Sequence, residues 1–160
     1  MALKSDRYEL QTDISFFCNE ATGRGGIVCH DSTAGSGAAM DQGVNLVVTK
    51  TTIANTDTPL GILLNDVTDK DLTRTHLNQH KDEVAKGGKV TILRKGYVVT
   101  NSLAGANPGV GDHAYAGDAG NIIASSSGEV PSSGALYVGR FLSTKDADGY
   151  AKVEVNLPAN

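Results

Sequence analysis

The stretch Asp148-Gly149-Tyr150-Ala151-Lys152-Val153-Glu154-Val155-Asn156-Leu157 decides the fold class of this 160-residue chain. Its apolar residues occupy every second position, the period at which a strand buries one face and exposes the other. The Asp-Gly pair supplies the positive-φ positions of a tight turn. Because residues 135–142 form another apolar run just before this turn, the chain is predicted to end in a β-hairpin.

Short apolar runs between turn residues predict strands along most of the remaining chain. They occupy residues 14–17, 26–29, 44–50, 59–64, 89–93 and 97–100, and both sides of the Gly-Asp-Ala-Gly turn at 117–120. Gly96 is either a hairpin turn or a kink in one long strand. The 19 glycines and the absence of tryptophan predict many turns around a core of Val, Ile, Leu and Ala. A chain of this length fits one domain, and we assign residues 14–160 to it.

Three segments depart from this strand pattern. Residues 1–13 are polar and weakly periodic, which predicts an N-terminal arm that is mobile unless a partner pins it. Residues 31–43 form a loop rich in Gly, Ser and Ala. From residue 69 to 86, Leu72, His80 and Val84 recur at roughly helical spacing before Gly87-Gly88, which predicts one short helix. The alternative there is an ordered extended loop, because the segment contains several indifferent helix formers.

Charge and targeting signals limit the classes of partner. The 14 basic and 18 acidic residues give a net charge of -4, and Arg94-Lys95 is the longest basic cluster. Nucleic acid and anionic membrane are therefore not predicted partners. No signal peptide and no run of about 20 apolar residues is visible, so we expect a soluble protein made in the cytosol. In that compartment Cys18 and Cys29 are predicted to be reduced thiols, with a hairpin disulfide as the alternative.

The motifs that would carry chemistry are incomplete. His76 and His80 are four residues apart, as a zinc pair on a helix would be, but Leu77 replaces the Glu of a zincin and no third ligand has diagnostic spacing. Residues 23–26 are glycine-rich but lack the ending of a nucleotide-binding loop, so a turn explains them better. No serine lies in a Gly-x-Ser-x-Gly elbow. The sequence predicts neither an enzyme nor a bound cofactor.

Several longer runs are distinctive when they are taken together. They are LTRTHLNQHKDEV at residues 72–84, GGKVTILRKGYVVTN at residues 87–101, VGDHAY at residues 110–115, VGRFL at residues 138–142, and the final Asp-Gly turn. These runs resemble the head decoration, or cement, proteins of tailed bacteriophages. The resemblance covers roughly residues 60–157. The run over residues 72–101 is its most distinctive part.

The resemblance implies a fold and a role. Such proteins are non-enzymatic, mainly β domains that bind the outside of an expanded capsid, commonly as trimers that clamp neighbouring major capsid subunits against DNA pressure. We therefore expect a small open barrel or tulip-like β-domain with one short helix and a flexible N-terminal arm. The expected partners are the major capsid protein and further copies of this chain in a homotrimer, and the expected place is the outer capsid surface of the virion. Arms of such proteins pair with strands of the shell by β-augmentation.

The residues predicted to contact the capsid fall into two groups. The arm contributes Tyr8, Leu10 and Ile14, and the polar run contributes Arg74, His76, His80 and Lys81.

Two other functions stay open on the sequence. A carbohydrate-binding or receptor-binding module of the virion surface would need exposed aromatic platforms, and five tyrosines without tryptophan are a thin supply. A metal-dependent hydrolase would use His76 and His80 and would carry zinc.

Overall fold

The computed structural model describes residues 8–31, 45–67, 83–128 and 136–157. These residues form twelve β-strands and two single-turn 3-10 helices, at Asp118–Gly120 and Ser125–Ser127. The strands are β1 (Tyr8–Cys18), β2 (Thr22–Gly23), β3 (Ile27–His30), β4 (Leu46–Val48), β5 (Pro59–Val67), β6 (Glu83–Val84), β7 (Lys89–Thr100), β8 (Leu103–Ala104), β9 (His113–Ala116), β10 (Ile122–Ala124), β11 (Tyr137–Phe141) and β12 (Ala151–Asn156). The predicted mainly β class is confirmed.

Ten of these strands form one sheet in the order β1-β4-β3-β5-β7-β12-β11-β9-β10-β8, while β2 pairs separately with β6. β1 also pairs with β7, so β1, β4, β3, β5 and β7 close into a ring of five strands. The sequence analysis predicted a small open barrel, and this five-strand ring is the corresponding part of the structure. It is not a regular barrel, because β1 and β4 are joined by only two residue pairs.

β7 is the strand that connects the ring to the rest of the sheet. Leu93 pairs with both β1 and β5, which therefore lie on opposite edges of β7. Tyr97 pairs with both β1 and β12, so β12 replaces β5 on that second edge. Gly96, with φ at 147°, is consequently a kink inside one twelve-residue strand and not a hairpin turn.

Two apolar clusters lie on opposite faces of β7. Neighbouring residues of a strand point to opposite faces, so Ile92 enters the ring interior while Leu93 enters the second cluster. The buried residues of the ring-interior cluster are Cys18, Val28, Val47, Leu63, Val84, Val90 and Ile92. The second cluster joins β3, β5 and β7 to the C-terminal strands through Ile27, Ile62, Leu64, Leu93, Val98, Ala114, Ala116, Ile122, Ala124, Val138, Phe141, Ala151, Val153, Val155 and Leu157.

The final hairpin has the predicted two-faced form. Every second residue from Ala151 to Leu157 is buried and the residues between them are not. The carboxylate of Asp146 accepts hydrogen bonds from the N–H groups of Asp148 (3.0 Å) and Tyr150 (2.8 Å), and Gly149 takes a φ of 82°. The turn residues thus hold β11 and β12 in register, as the sequence indicated.

The predictions for the arm, the glycine-rich loop and the short helix are only partly covered by the described residues. The predicted helix over residues 69–86 falls largely outside the described residues, and its end is wrong, since Glu83–Val84 is strand β6. Within the predicted arm, residues 8–13 belong to β1 and pair with β7. Residues 1–7 and 32–44 also lie outside the described residues, and the division of the chain into an arm and one domain stays a prediction.

Both cysteines are free and buried. Burial raises the pKa of the Cys29 thiol to about 11, with a further contribution from the negative charge of Asp57. Burial likewise raises the pKa of Cys18. Neither thiol has the lowered pKa that a nucleophile or metal ligand needs.

Candidate functional site

The structure places part of the predicted contact set on β1. Tyr8, Leu10 and Ile14 are all residues of this strand. The four predicted contacts of the polar run, Arg74, His76, His80 and Lys81, lie outside the described residues, so their position relative to β1 stays open.

β1 has one edge that no described strand covers. Its first edge pairs with β7 from Tyr8 to Phe17, but β4 pairs with its second edge only at Phe17 and Cys18. We call the second edge of residues 8–16 the β1 outer edge. A row of unpaired backbone N–H and C=O groups is a template for pairing with a strand of another chain.

Among the β1 residues whose side chains are described, Ile14 is the strongly exposed apolar residue, with 53% of its surface exposed. It lies in an irregular part of β1, between Asp13 and Phe16, where the register against β7 shifts. Asp13 fixes the local backbone, because its Oδ1 accepts a hydrogen bond from the N–H of Ser15 at 2.8 Å. Ile14 is therefore presented outward on a backbone that is already ordered.

The electrostatics of Asp13 fit this role. Partial burial raises the pKa of this carboxyl, but the hydrogen bonds from Ser15 and the attraction of Arg94 outweigh that effect and lower the pKa overall. The carboxylate thus stays ionised and keeps its hydrogen bonds near neutral pH.

A second exposed apolar residue lies outside the predicted contact set, on the turn directly before β9. Val110 is 71% exposed at the tip of the turn formed by residues 109–112. Asp112 closes this turn, since its N–H donates to the Gly109 carbonyl and its carboxylate accepts from the Gly109 N–H at 2.7 Å. The signal in the sequence was an apolar residue between two glycines, outside any period-two pattern.

A third surface, also missed from the sequence, is a group of aromatic rings on the outer face of the C-terminal strands. His113 and Tyr115 of β9 lie beside Tyr137 of β11, with ring centroids 5.4–6.4 Å apart. Sequence reasoning could pair His113 with Tyr115 through their alternation on one strand. It could not bring in Tyr137, which comes from a different hairpin.

Most carboxylates with a described partner hold loops together. Oxygens of Asp118 and Asp57 accept backbone hydrogen bonds from Ile53 and Ala54, respectively, and Glu20 accepts from both the N–H and the hydroxyl of Thr49. Such bonds satisfy loop N–H groups that have no sheet partner. These carboxylates therefore stabilise the loops between strands.

Within the described ranges the protein has neither a metal-binding cluster nor a membrane-spanning helix. There, no group of three or more His, Cys, Asp or Glu side chains could hold a metal ion. His76 and His80 are not among those residues, so the zinc hypothesis is untested. No helix in the described part of the chain is long and apolar enough to cross a membrane.

Comparison with known protein families gives one match. The model of the phage family described as "Structural cement protein (E217 gp24/Pam3 gp6)" matches residues 7–156. The match thus begins one residue before β1 and ends at the last residue of β12. No curated protein matches the chain. The resemblance drawn from the sequence is confirmed, and the chain belongs to the structural cement protein family of bacteriophages.

Proposed function

We propose that this protein is a non-enzymatic decoration protein that binds the outer surface of a phage head and stabilises contacts between major capsid subunits. The observation that carries this proposal is the family match over residues 7–156, which supports a cement role in the capsid. The absence of a catalytic motif in the sequence agrees with a structural task.

The stabilisation would come from many modest contacts repeated by symmetry. A capsid presents the same site many times, and a decoration protein that associates as a homotrimer engages several sites at once. Linked binding events raise the overall affinity well above that of one contact. Self-association as a trimer is therefore part of the proposal.

The β1 outer edge is the surface of the described fold that best suits a capsid contact. A strand of the major capsid protein could extend the sheet there by β-augmentation, in which backbone hydrogen bonds provide affinity and side-chain pockets provide specificity. Ile14 would supply the apolar side-chain contact. Tyr8 and Leu10 lie on the same strand and remain proposed contacts, as do Arg74, His76, His80 and Lys81 of the polar run.

The proposal is tested with phage heads that lack this protein. Ile14→Lys places a charge on the β1 outer edge, a device that natural edge strands use against pairing. We expect about tenfold weaker binding to the heads, the effect of losing one well-buried interface side chain. Bound protein per head is measured by sedimentation and quantitative gel analysis over a concentration series.

Val110→Lys is the matched control, because it adds the same charge at the other strongly exposed apolar residue and should leave binding near the wild-type value. If both variants bound the heads as tightly as the wild type, the β1 outer edge would be excluded as a capsid contact. Deletion of residues 1–7 tests the arm without removing any residue of β1. A longer deletion through residue 13 would also cut the strand that closes the ring.

A further inference from the structure

One face of the C-terminal sheet gathers aromatic side chains that are scattered in the sequence. Directly opposite residues of paired strands project to the same face. Tyr115 is opposite Tyr137, and Arg140 is opposite both His113 and Glu154. These five residues define what we call the aromatic face. Tyr97 is opposite Glu154 and continues the same face onto β7.

A bulge makes this grouping possible. Tyr137 and Arg140 are three residues apart on β11, a spacing that would normally send them to opposite faces. The register against β9 shifts between Tyr137 and Gly139, so that both side chains point outward while Val138 and Phe141 are buried. Bulges redirect side chains in this way at functional surfaces of other sheets.

The three rings form a compact, ordered platform. The His113 and Tyr115 rings are inclined by only 17° to each other, whereas the Tyr137 ring stands at 74° to that of Tyr115. The His113 and Tyr115 rings are thus stacked, with centroids 6.4 Å apart, and the Tyr137 ring stands edge-on to Tyr115 and tilted by 57° to His113. Because the rings already contact one another on paired strands, little conformational entropy would be lost on binding a ligand.

Polar side chains that have no partner among the described residues surround the platform. Arg140 is exposed, and Glu154 and the two tyrosines are partly exposed. No other residue in the described ranges forms a hydrogen bond or ion pair with the side chains of Tyr115, Tyr137, Arg140 or Glu154. Within the described part of the chain, the face therefore offers guanidinium donors, carboxylate acceptors and two hydroxyls that are not engaged elsewhere, beside aromatic rings.

We propose that the aromatic face binds a hexopyranose unit of a polysaccharide. A pyranose ring has an apolar face of C–H groups, and these weakly positive hydrogens pack favourably on the negative face of an aromatic ring. Its hydroxyls are both donors and acceptors, which matches the opposite hydrogen-bonding characters of Arg140 and Glu154. The platform would take the C–H face, and the charged pair would orient the hydroxyls.

The composition of the face favours a sugar over a protein partner. Tyr and Arg are common at protein interfaces as well, but Glu is depleted from them, and charged residues are depleted from their core. Here a charged pair lies next to the platform, and the two strongly exposed aliphatic residues of the described ranges, Ile14 and Val110, are on other elements. Each ring of the platform also carries a polar atom at its tip. A shallow site of this kind predicts a dissociation constant on the order of millimolar for a single sugar unit. Many copies of the protein on one surface would bind a polysaccharide more tightly than a single copy does.

Saturation-transfer NMR with the full chain tests this proposal. The probes are the methyl glycosides of glucose, galactose, mannose and N-acetylglucosamine, each titrated to saturation. We expect saturable binding of at least one probe, weakened about tenfold or more by Tyr115→Ala and by Tyr137→Ala. Tyr150→Ala is the matched control, since this tyrosine lies in the turn before β12, and it should bind as the wild type does.

Arg140→Gln provides a variant that leaves the rings in place, should a tyrosine variant fail to fold, and it should also weaken binding. The proposal would be overturned if none of the four probes showed saturable binding. So would binding that survives Tyr115→Ala, Tyr137→Ala and Arg140→Gln.

The same variants are added to undecorated phage heads, and their self-association is measured by light scattering. A lower head occupancy or weaker self-association of folded Tyr115→Ala, without sugar binding by the wild type, would assign the face to a protein contact and overturn the sugar site. The capsid proposal is tested separately by Ile14→Lys, so the two can fail independently.

Discussion

The five-strand ring and the C-terminal sheet offer different kinds of surface. The ring is closed by pairing between residues far apart in the chain, such as Tyr8 with Tyr97, and it presents a backbone edge along β1. The C-terminal sheet is built from two local antiparallel pairs, β9 with β10 and β11 with β12, and it presents a side-chain face. The difference teaches that one small β-protein can present a strand edge in one region and an ordered side-chain face in another.

The two regions are nevertheless one mechanical unit. β7 contributes Val90 and Ile92 to the ring interior and Leu93 and Val98 to the second cluster. A strand cannot leave one cluster without disturbing the other. We therefore expect the regions to differ in surface and function but to unfold together, and the following changes test that expectation in order of decreasing effect.

The largest effect is expected from truncating one large buried side chain in either apolar cluster. Phe141→Ala in the second cluster should lower the free energy of unfolding by about 3–5 kcal/mol, and Leu63→Ala in the ring interior by about 2–5 kcal/mol, through lost burial and the cavity left behind. Urea denaturation followed by circular dichroism measures both. Each variant should unfold in a single transition, because β7 is shared. Two separate transitions would show that the ring and the sheet are independent.

A smaller effect is expected at the hydrogen bonds that link the end of β7 to the ring. The Thr100 hydroxyl is fully buried, donates to the Gly25 carbonyl at 2.9 Å and accepts from the Ser102 N–H at 3.1 Å. Thr100→Val keeps the shape but leaves buried groups unpaired, which should cost about 1–3 kcal/mol. The exposed Thr52→Val is the control and should change the free energy of unfolding by less than about 0.5 kcal/mol. Equal free energies of unfolding for the two variants, measured by urea denaturation, would contradict this link.

The smallest effect concerns the turn that carries Val110. Hydrogen bonds from Ser126 and from the Gly109 N–H lower the pKa of Asp112 below its usual value of 3.8. A lowered folded-state pKa stabilises the protein above the unfolded value, and the contribution is lost as the pH falls through the folded value. Asp112→Asn should therefore flatten the acid end of the profile of melting temperature against pH. Ser126→Ala should flatten it less, and identical profiles for all three proteins would exclude the contribution.

Local pattern predicted much of the fold. The alternation from Ala151 to Leu157 and the turn at Gly149 each depend on neighbouring residues alone, and both are present as expected. The same holds for β9 and β10 around residues 117–120. The prediction that the helix extends past residue 84 was wrong, because pairing of β6 with β2 outweighed a weak local helical preference.

The sites were less accessible to sequence reasoning. Ile14 was predicted as a contact and is exposed, but the reason lies in the register shift of β1 against β7, which no local pattern shows. Tyr115 and Tyr137 are 22 positions apart in the chain and meet only because β11 pairs with β9 and bulges there. A count of five tyrosines could not reveal that three of them share one face.

The sequence by itself determined that the chain is mainly β, where most of its strands and turns lie, and to which family it belongs. The fold class, the strands and the turns depend on side-chain period and on turn residues, which act over a few neighbouring positions. The family follows instead from the similarity of whole runs of sequence, as the match over residues 7–156 shows. Only the tertiary structure decided that Gly96 is a kink within β7, that β1 closes a ring while one of its edges has no strand partner among the described residues, and that three aromatic rings meet on one surface. Strand partners and register are set by packing between distant segments, and a one-residue shift moves a side chain to the opposite face.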